Sequence, residues 1–209
     1  MKIAKAEFIT SVPVGGKLPP NIGPTVVMVG RSNVGKSTLI NALTRQTIAR
    51  SGSKPGTTRL VNLYAIHTSS SNRDIPQRLT FADLPGYGFA RGGEAARNEF
   101  AVLTKEFFDN MQTASYKNHS KTGPALVAVI LLIDGRHPGL ESDVAAYQWI
   151  EENKYPCVIV TTKNDRLTRS EQIKMVREHK NVFGHEIVAI SGKKATGIRD
   201  IWSALSSLL

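Results

Sequence analysis

Thr25-Val26-Val27-Met28-Val29 runs directly into Gly30-Arg31-Ser32-Asn33-Val34-Gly35-Lys36-Ser37, and the reading of this stretch decides the fold. The first five residues form an unbroken β-branched and apolar run, as in a strand buried on both faces. The octet matches G-x-x-x-x-G-K-[ST]. Two glycines let the backbone wrap a phosphate chain and aim its N–H groups inward. Lys36 adds a point charge at the β- and γ-phosphates, and the Ser37 hydroxyl ligates Mg²⁺. Lys36–Arg45 then places Leu39, Ile40 and Leu43 on one helical face. Strand, loop and helix together supply the context that this motif requires.

Outward from that unit, apolar runs alternate with helical patterns. Leu60–His67 and Arg78–Ala82 read as strands of a hairpin, and Leu126–Ile133, Cys157–Thr161 and Glu186–Ile190 as further strands. Helices are expected at Glu94–Met111, Glu141–Asn153, Ser170–Val182 and Ile198–Leu209. Buried strands alternating with helices predict an α/β fold: a mostly parallel six-stranded sheet, one antiparallel edge strand from the hairpin, and helices on both faces. Residues 25–209 form the domain in this reading, with 1–24 as an extension packed on it. Thr10–Gly23, with three prolines and three glycines, is read as extended.

Composition narrows the partners. The chain has 209 residues and a formal charge of +10. Residues 1–60 hold nine Lys/Arg against the single acid Glu7, so most of the excess lies in the first third. Such asymmetry points to a polyanion near that third, or to solubility alone. The longest apolar run, Ala125–Ile133, is nine residues, whereas a spanning helix needs about 20. No membrane span is therefore expected, and the start MKIAKAEFIT carries no secretory h-region. The single Cys157 makes no internal disulfide, which fits a reducing, cytoplasmic setting. No heptad pattern is present, so a monomer is expected.

Four further segments carry chemistry. Asp83-Leu84-Pro85-Gly86 follows a strand: the acid can hold the Mg²⁺ shell, and Gly86 permits close backbone approach to a γ-phosphate. Lys54-Pro55-Gly56-Thr57-Thr58-Arg59, leading to Leu60, offers a threonine hydroxyl to Mg²⁺ and an N–H to the γ-phosphate. On the residues alone, Thr57 and Thr58 both qualify. Thr162-Lys163-Asn164-Asp165 can read guanine: Asp165 accepts from N1–H and the exocyclic amine, while the Lys163 stem lies over the purine. Ser191, Gly192 and Lys193, after the last strand, can offer an N–H to the guanine O6, and Ile190 at the strand's end joins the nucleotide-binding set.

In this order the motifs resemble the five G motifs of a small GTPase. The segments Lys54–Tyr64, Asp83–Ala90, Asp134–Asp143 and Val158–Leu167 are similar to the EngB family (YihA/YsxC), a member of the TrmE-Era-EngA-EngB-Septin-like class. The resemblance covers nearly the whole chain. It implies a Ras-like fold, GTP and GDP binding, Mg²⁺ dependence, a role with rRNA and proteins of the large ribosomal subunit or its precursor, and a link to cell division and septation. It also makes Thr58, rather than Thr57, the Mg²⁺ ligand beside Ser37 and Asp83, with Lys36 and Thr58 catalytic. Arg59 stands where the family has glutamine.

Ras-type enzymes orient the attacking water with a glutamine just after DxxG. Here that residue is Tyr87, so slow intrinsic hydrolysis is expected. Asn33 stands where related GTPases use asparagine to hold K⁺; a hydrogen bond that shapes the loop is one reading of it, and K⁺ acceleration of hydrolysis is the other. The five histidines lack metal-ligand spacing. Asp134 reads as structural, Cys157 as core, and Trp149 and Trp202 as core or interface. The cations Arg45, Arg50, Lys54 and Arg59 flank the Mg²⁺-binding threonine, where nucleotide state could control their presentation to RNA. A nucleotide-dependent scaffold for division proteins and a P-loop kinase or ATPase are the competing readings; Asp165 disfavours the last.

Overall fold

The computed structural model describes residues 2–20, 22–49, 60–69, 77–87, 93–117, 125–191 and 195–209. Seven strands form one sheet: β1 (Ile3–Pro13), β2 (Pro24–Gly30), β3 (Leu60–Thr68), β4 (Arg78–Asp83), β5 (Ala125–Asp134), β6 (Cys157–Thr162) and β7 (Ile187–Ala189). Their order is β1-β3-β4-β2-β5-β6-β7. The helices are α1 (Lys36–Thr44), α2 (Gly93–Lys117), α3 (Glu141–Glu152), α4 (Arg169–Phe183) and α5 (Ile198–Ser206). Pairings β2–β4, β2–β5, β5–β6 and β6–β7 are parallel, and β3 is antiparallel to both β1 and β4.

The α/β class and the helix-covered, mostly parallel sheet are as expected. The strand count is seven rather than six, and the hairpin strand β3 is not the edge. Residues 3–13 pair along β3 and cover it. Two register irregularities, between Ile3 and Lys5 and between Phe8 and Thr10, break the two-residue alternation of β1. A bulge moves the following side chains to the other face. Ala6 and Val12 accordingly pack into opposite cores, which hides the strand from a period-2 reading.

Alternation is intact in the central strands. Val27 and Val29 of β2, with Val129, Leu131 and Ile133 of β5, face a core closed by Phe100, Phe107 and Phe108 of α2 and Trp149 and Ile150 of α3. Val26 and Met28, with Ala128, Ile130 and Leu132, face the other core, closed by Leu39, Ile40 and Leu43 of α1 and Ile201, Trp202 and Leu205 of α5. Both tryptophans are thus core residues. Among the described residues no helix is long and apolar enough to cross a membrane.

Candidate functional site

Five parallel strands end side by side at Gly30, Asp83, Asp134, Thr162 and Ala189, and the loops that carry the motifs leave from these ends. Open α/β sheets bind ligands at this edge. After β2 the chain turns through Asn33 (φ 61°) and Gly35 (φ 119°) into α1. Asparagine tolerates the left-handed region, so the backbone alone accounts for this residue at position 33. The N-terminus of α1 has no side-chain cap and no acid in its first turn. Its N–H groups and the positive end of the helix are available to an anion. Lys36 arches back over the loop, with Nζ donating to the Gly30 carbonyl at 3.0 Å.

Ser37 Oγ donates to Asp83 Oδ2 at 3.4 Å. Asp83 Oδ1 is buried without a hydrogen-bond partner. Burial raises the Asp83 carboxyl and lowers the Lys36 ammonium, each opposed by the charge of the other. A hydroxyl and an under-satisfied carboxylate are hard oxygen donors, so the pair fits a small divalent cation. Phosphate beside Lys36 and a cation beside Asp83 favour the ionised form of each.

The segment after β4 is bonded to the phosphate loop. Ser32 N–H donates to the Tyr87 carbonyl at 3.1 Å, Ser32 Oγ to the Gly86 carbonyl at 3.4 Å, and Arg31 and Tyr87 form a parallel β-bridge. A Cβ on Gly86 would lie 2.6 Å from Ser32 N. Gly86→Ala must therefore push the two segments apart. We expect it to cost about 1–3 kcal/mol, read as a lower denaturation midpoint in urea; an unchanged midpoint would refute this packing.

Tyr87 does not face the site. Its side chain is buried edge-on against Phe100, and its hydroxyl donates to Asp143 Oδ1 of α3 at 3.0 Å. Burial raises the Asp143 carboxyl to about 6, while the Tyr87 hydrogen bond and the Arg31 charge oppose the shift. Asp143 has no signal of its own in the sequence beyond its place in the first turn of a helix.

At the base end, the Thr162 hydroxyl donates to the Val34 carbonyl at 2.8 Å, tying this motif to the phosphate loop. Ser191 Oγ donates to Asp165 Oδ1 at 2.6 Å, which fixes the carboxylate. The Ser191 N–H is committed to Thr196. Ile190 N–H donates to the Thr161 carbonyl, holding the last loop in line. Asp134, read as structural from the sequence, reaches Lys163 of the base motif. An acid ending an apolar strand at the ligand-binding edge is the signal that could have marked it.

Gly56, Thr57, Thr58, Arg59, Arg50, Lys54, Gly192, Lys193 and His119 lie outside the described residues. Of the other candidates, Cys157 is a half-buried thiol packed against the α2/α3 core, and desolvation pushes it up to about 12. His67 meets Glu7, and the buried His179 stacks on Phe183. Among the described residues no group of His, Cys, Asp and Glu could hold a metal by itself.

A family model described as "50S ribosome-binding GTPase" matches residues 25–163. A probable GTP-binding protein EngB from Alkaliphilus metalliredigens is 33% identical over all of this chain and 92% of its own length. Its counterpart in Thermotoga maritima is 33% identical over all of this chain and 98% of its own length. Among solved structures, that of a probable GTP-binding protein EngB is 21% identical, with a TM-score of 0.54 over 88% of this chain and 97% of that one.

Proposed function

The chain belongs to the EngB family of GTP-binding proteins, and we propose that it hydrolyses GTP to GDP and phosphate as a nucleotide-gated switch in assembly of the large ribosomal subunit, on which normal cell division and septation depend. One observation carries the nucleotide reading: the bond from Thr162 to the Val34 carbonyl holds the base-reading motif against the phosphate loop. A single nucleotide can then span Lys36 at its phosphates and Asp165 at its base. The kinase and ATPase reading loses its support, since Asp165 is set to accept two donors and adenine lacks that pair.

Ser37 and Asp83, with Thr58, would hold Mg²⁺, which neutralises phosphate charge when bound. Lys36 and the first N–H groups of α1 bind and orient the phosphates. Tyr87 donates its hydroxyl to Asp143 rather than to a water at the γ-phosphate, which supports slow intrinsic hydrolysis. The protein then spends long periods in the GTP state, as a timed switch requires. It acts as a cytoplasmic monomer in this reading, with residues 1–24 adding an edge strand to the GTPase domain.

The exposed Arg45 closes α1 and leads toward Arg50, Lys54 and Arg59. Asn41 accepts from the N–H groups of Ile48 and Ala49 and so fixes the start of this basic stretch. Each phosphate contact it makes with RNA should steepen the fall of log affinity with log salt by about 0.7–0.9. The test is cosedimentation with large ribosomal subunits. The protein bound to a non-hydrolysable GTP analogue is expected in the pellet and the GDP form in the supernatant. Equal binding in the two states would reject the switch.

A further inference from the structure

We propose that Asp134 is a positioning residue of the base site: from the end of β5 it holds the Lys163 ammonium and so fixes the Lys163 stem as one wall against a guanine ring. The inference rests on the guanine reading above and adds to it a residue on a different strand.

The acceptor sites of Asp134 are divided between its own turn and Lys163. Its Oδ2 accepts from Lys163 Nζ at 2.9 Å and from Arg136 Nη2 at 2.7 Å. Its Oδ1 accepts from Arg136 Nε at 2.9 Å and from the Arg136 N–H at 3.1 Å. A carboxylate has about four acceptor sites, and all are used. Burial raises this carboxyl, but the bonds from Arg136 and Lys163 outweigh it and hold the group well below the usual carboxylate range. It is a fixed anion with no spare lone pair for a proton, a metal or a ligand.

The turn that bears Asp134 is fitted to the base motif. Gly135 N–H donates to the Thr162 carbonyl at 3.0 Å, and a Cβ on Gly135 would lie 2.6 Å from Asn164 Oδ1. Lys163 sits in the left-handed region, φ 63°, where a non-glycine residue persists only when its surroundings hold it. From that backbone its side chain crosses from the end of β6 to the end of β5. Asp165, two residues on, is drawn the other way, to Ser191 beyond β7. The wall and the base-pairing group are thus anchored on opposite sides of β6, Lys163 toward β5 and Asp165 toward the segment after β7. A lysine stem free in solution loses rotamer entropy when it packs on a ring; a tethered one has already lost it.

The test is titration of the full chain with GDP, GTP and ADP, alongside thermal unfolding. Asp134→Asn and Lys163→Met should each weaken GDP and GTP binding by the same factor, about tenfold, and the double variant should be no weaker than either. Lys163→Met keeps the apolar stem and leaves Asp134 paired with Arg136, so it tests the tether should Asp134→Asn not fold. Arg136→Ala leaves the tether in place and should bind GDP within twofold of the wild type. GDP affinity unchanged in either Asp134→Asn or Lys163→Met would overturn the proposal. A loss in Arg136→Ala equal to theirs would do the same, since the turn rather than the tether would then matter. Wild-type protein that binds ADP as well as GDP would instead overturn the guanine reading beneath it.

Discussion

Asp165→Asn should lower affinity for GDP by about a thousandfold and turn the preference toward xanthosine diphosphate. Guanine presents two donors, N1–H and the exocyclic amine. The Asp165 carboxylate can accept both, and the Ser191 hydroxyl at 2.6 Å already sets its plane. Charge-assisted bonds are worth about 1.5–3 kcal/mol each. An amide keeps one acceptor, loses the charge and aims a donor at the guanine amine. The combined loss of about 4 kcal/mol corresponds to roughly a factor of 10³. Xanthine carries a carbonyl where guanine carries the amine, so the introduced N–H₂ finds an acceptor. Calorimetric titration with the two diphosphates checks both halves. Equal loss toward both would mean that the variant disturbs the loop and that Asp165 does not read the base.

The parts of this site legible in the sequence are those whose chemistry is local. Gly30–Ser37 reads directly because the phosphate loop needs its glycines, lysine and serine at fixed spacing between a strand and a helix. The central strands read directly too, because β2 and β5 send alternate residues into two apolar cores. Strand β1 did not, since its bulges shift the pattern from one face to the other. The contacts that assemble the site are non-local, and their pairing cannot be read from spacing. Thr162 and Val34 are 128 residues apart, and Asp134 and Lys163 are 29 apart. Nothing in the spacing of either pair signals a bond; only the parallel order of β2, β5 and β6 brings them together. Tyr87 shows the same limit from the other side. Its position in the motif places it where a water-orienting side chain would stand, while its aromatic ring sends it into the core beside Phe100.

That burial has a measurable consequence through Asp143, which is 1% exposed. Its carboxyl is raised from 3.8 to about 6, first by desolvation and further by the Asp134 charge, against the Tyr87 hydrogen bond and the Arg31 charge. The folded state therefore binds a proton more tightly than the unfolded chain does. The stabilising contribution is complete below the unfolded value of about 4 and is lost as pH rises through about 6. At about 1.4 kcal/mol per unit, the loss between pH 4 and pH 8 is on the order of 2–3 kcal/mol. Asp143→Asn cannot titrate there, so the wild type should lose that much stability relative to the variant over this range. For a chain of this size, about 2–4 °C per kcal/mol makes the effect visible as a relative fall of several degrees in Tm. Tyr87→Phe removes the bond that favours the ionised carboxylate, so it should steepen the loss and move its midpoint to higher pH. The measurement is thermal unfolding at closely spaced pH values for the three proteins, with nucleotide and Mg²⁺ held constant. A difference between wild type and Asp143→Asn that stays level from pH 4 to pH 8 would show that Asp143 does not titrate in the fold. Removing Tyr87 would then have no electrostatic path to stability, and its cost would be packing alone.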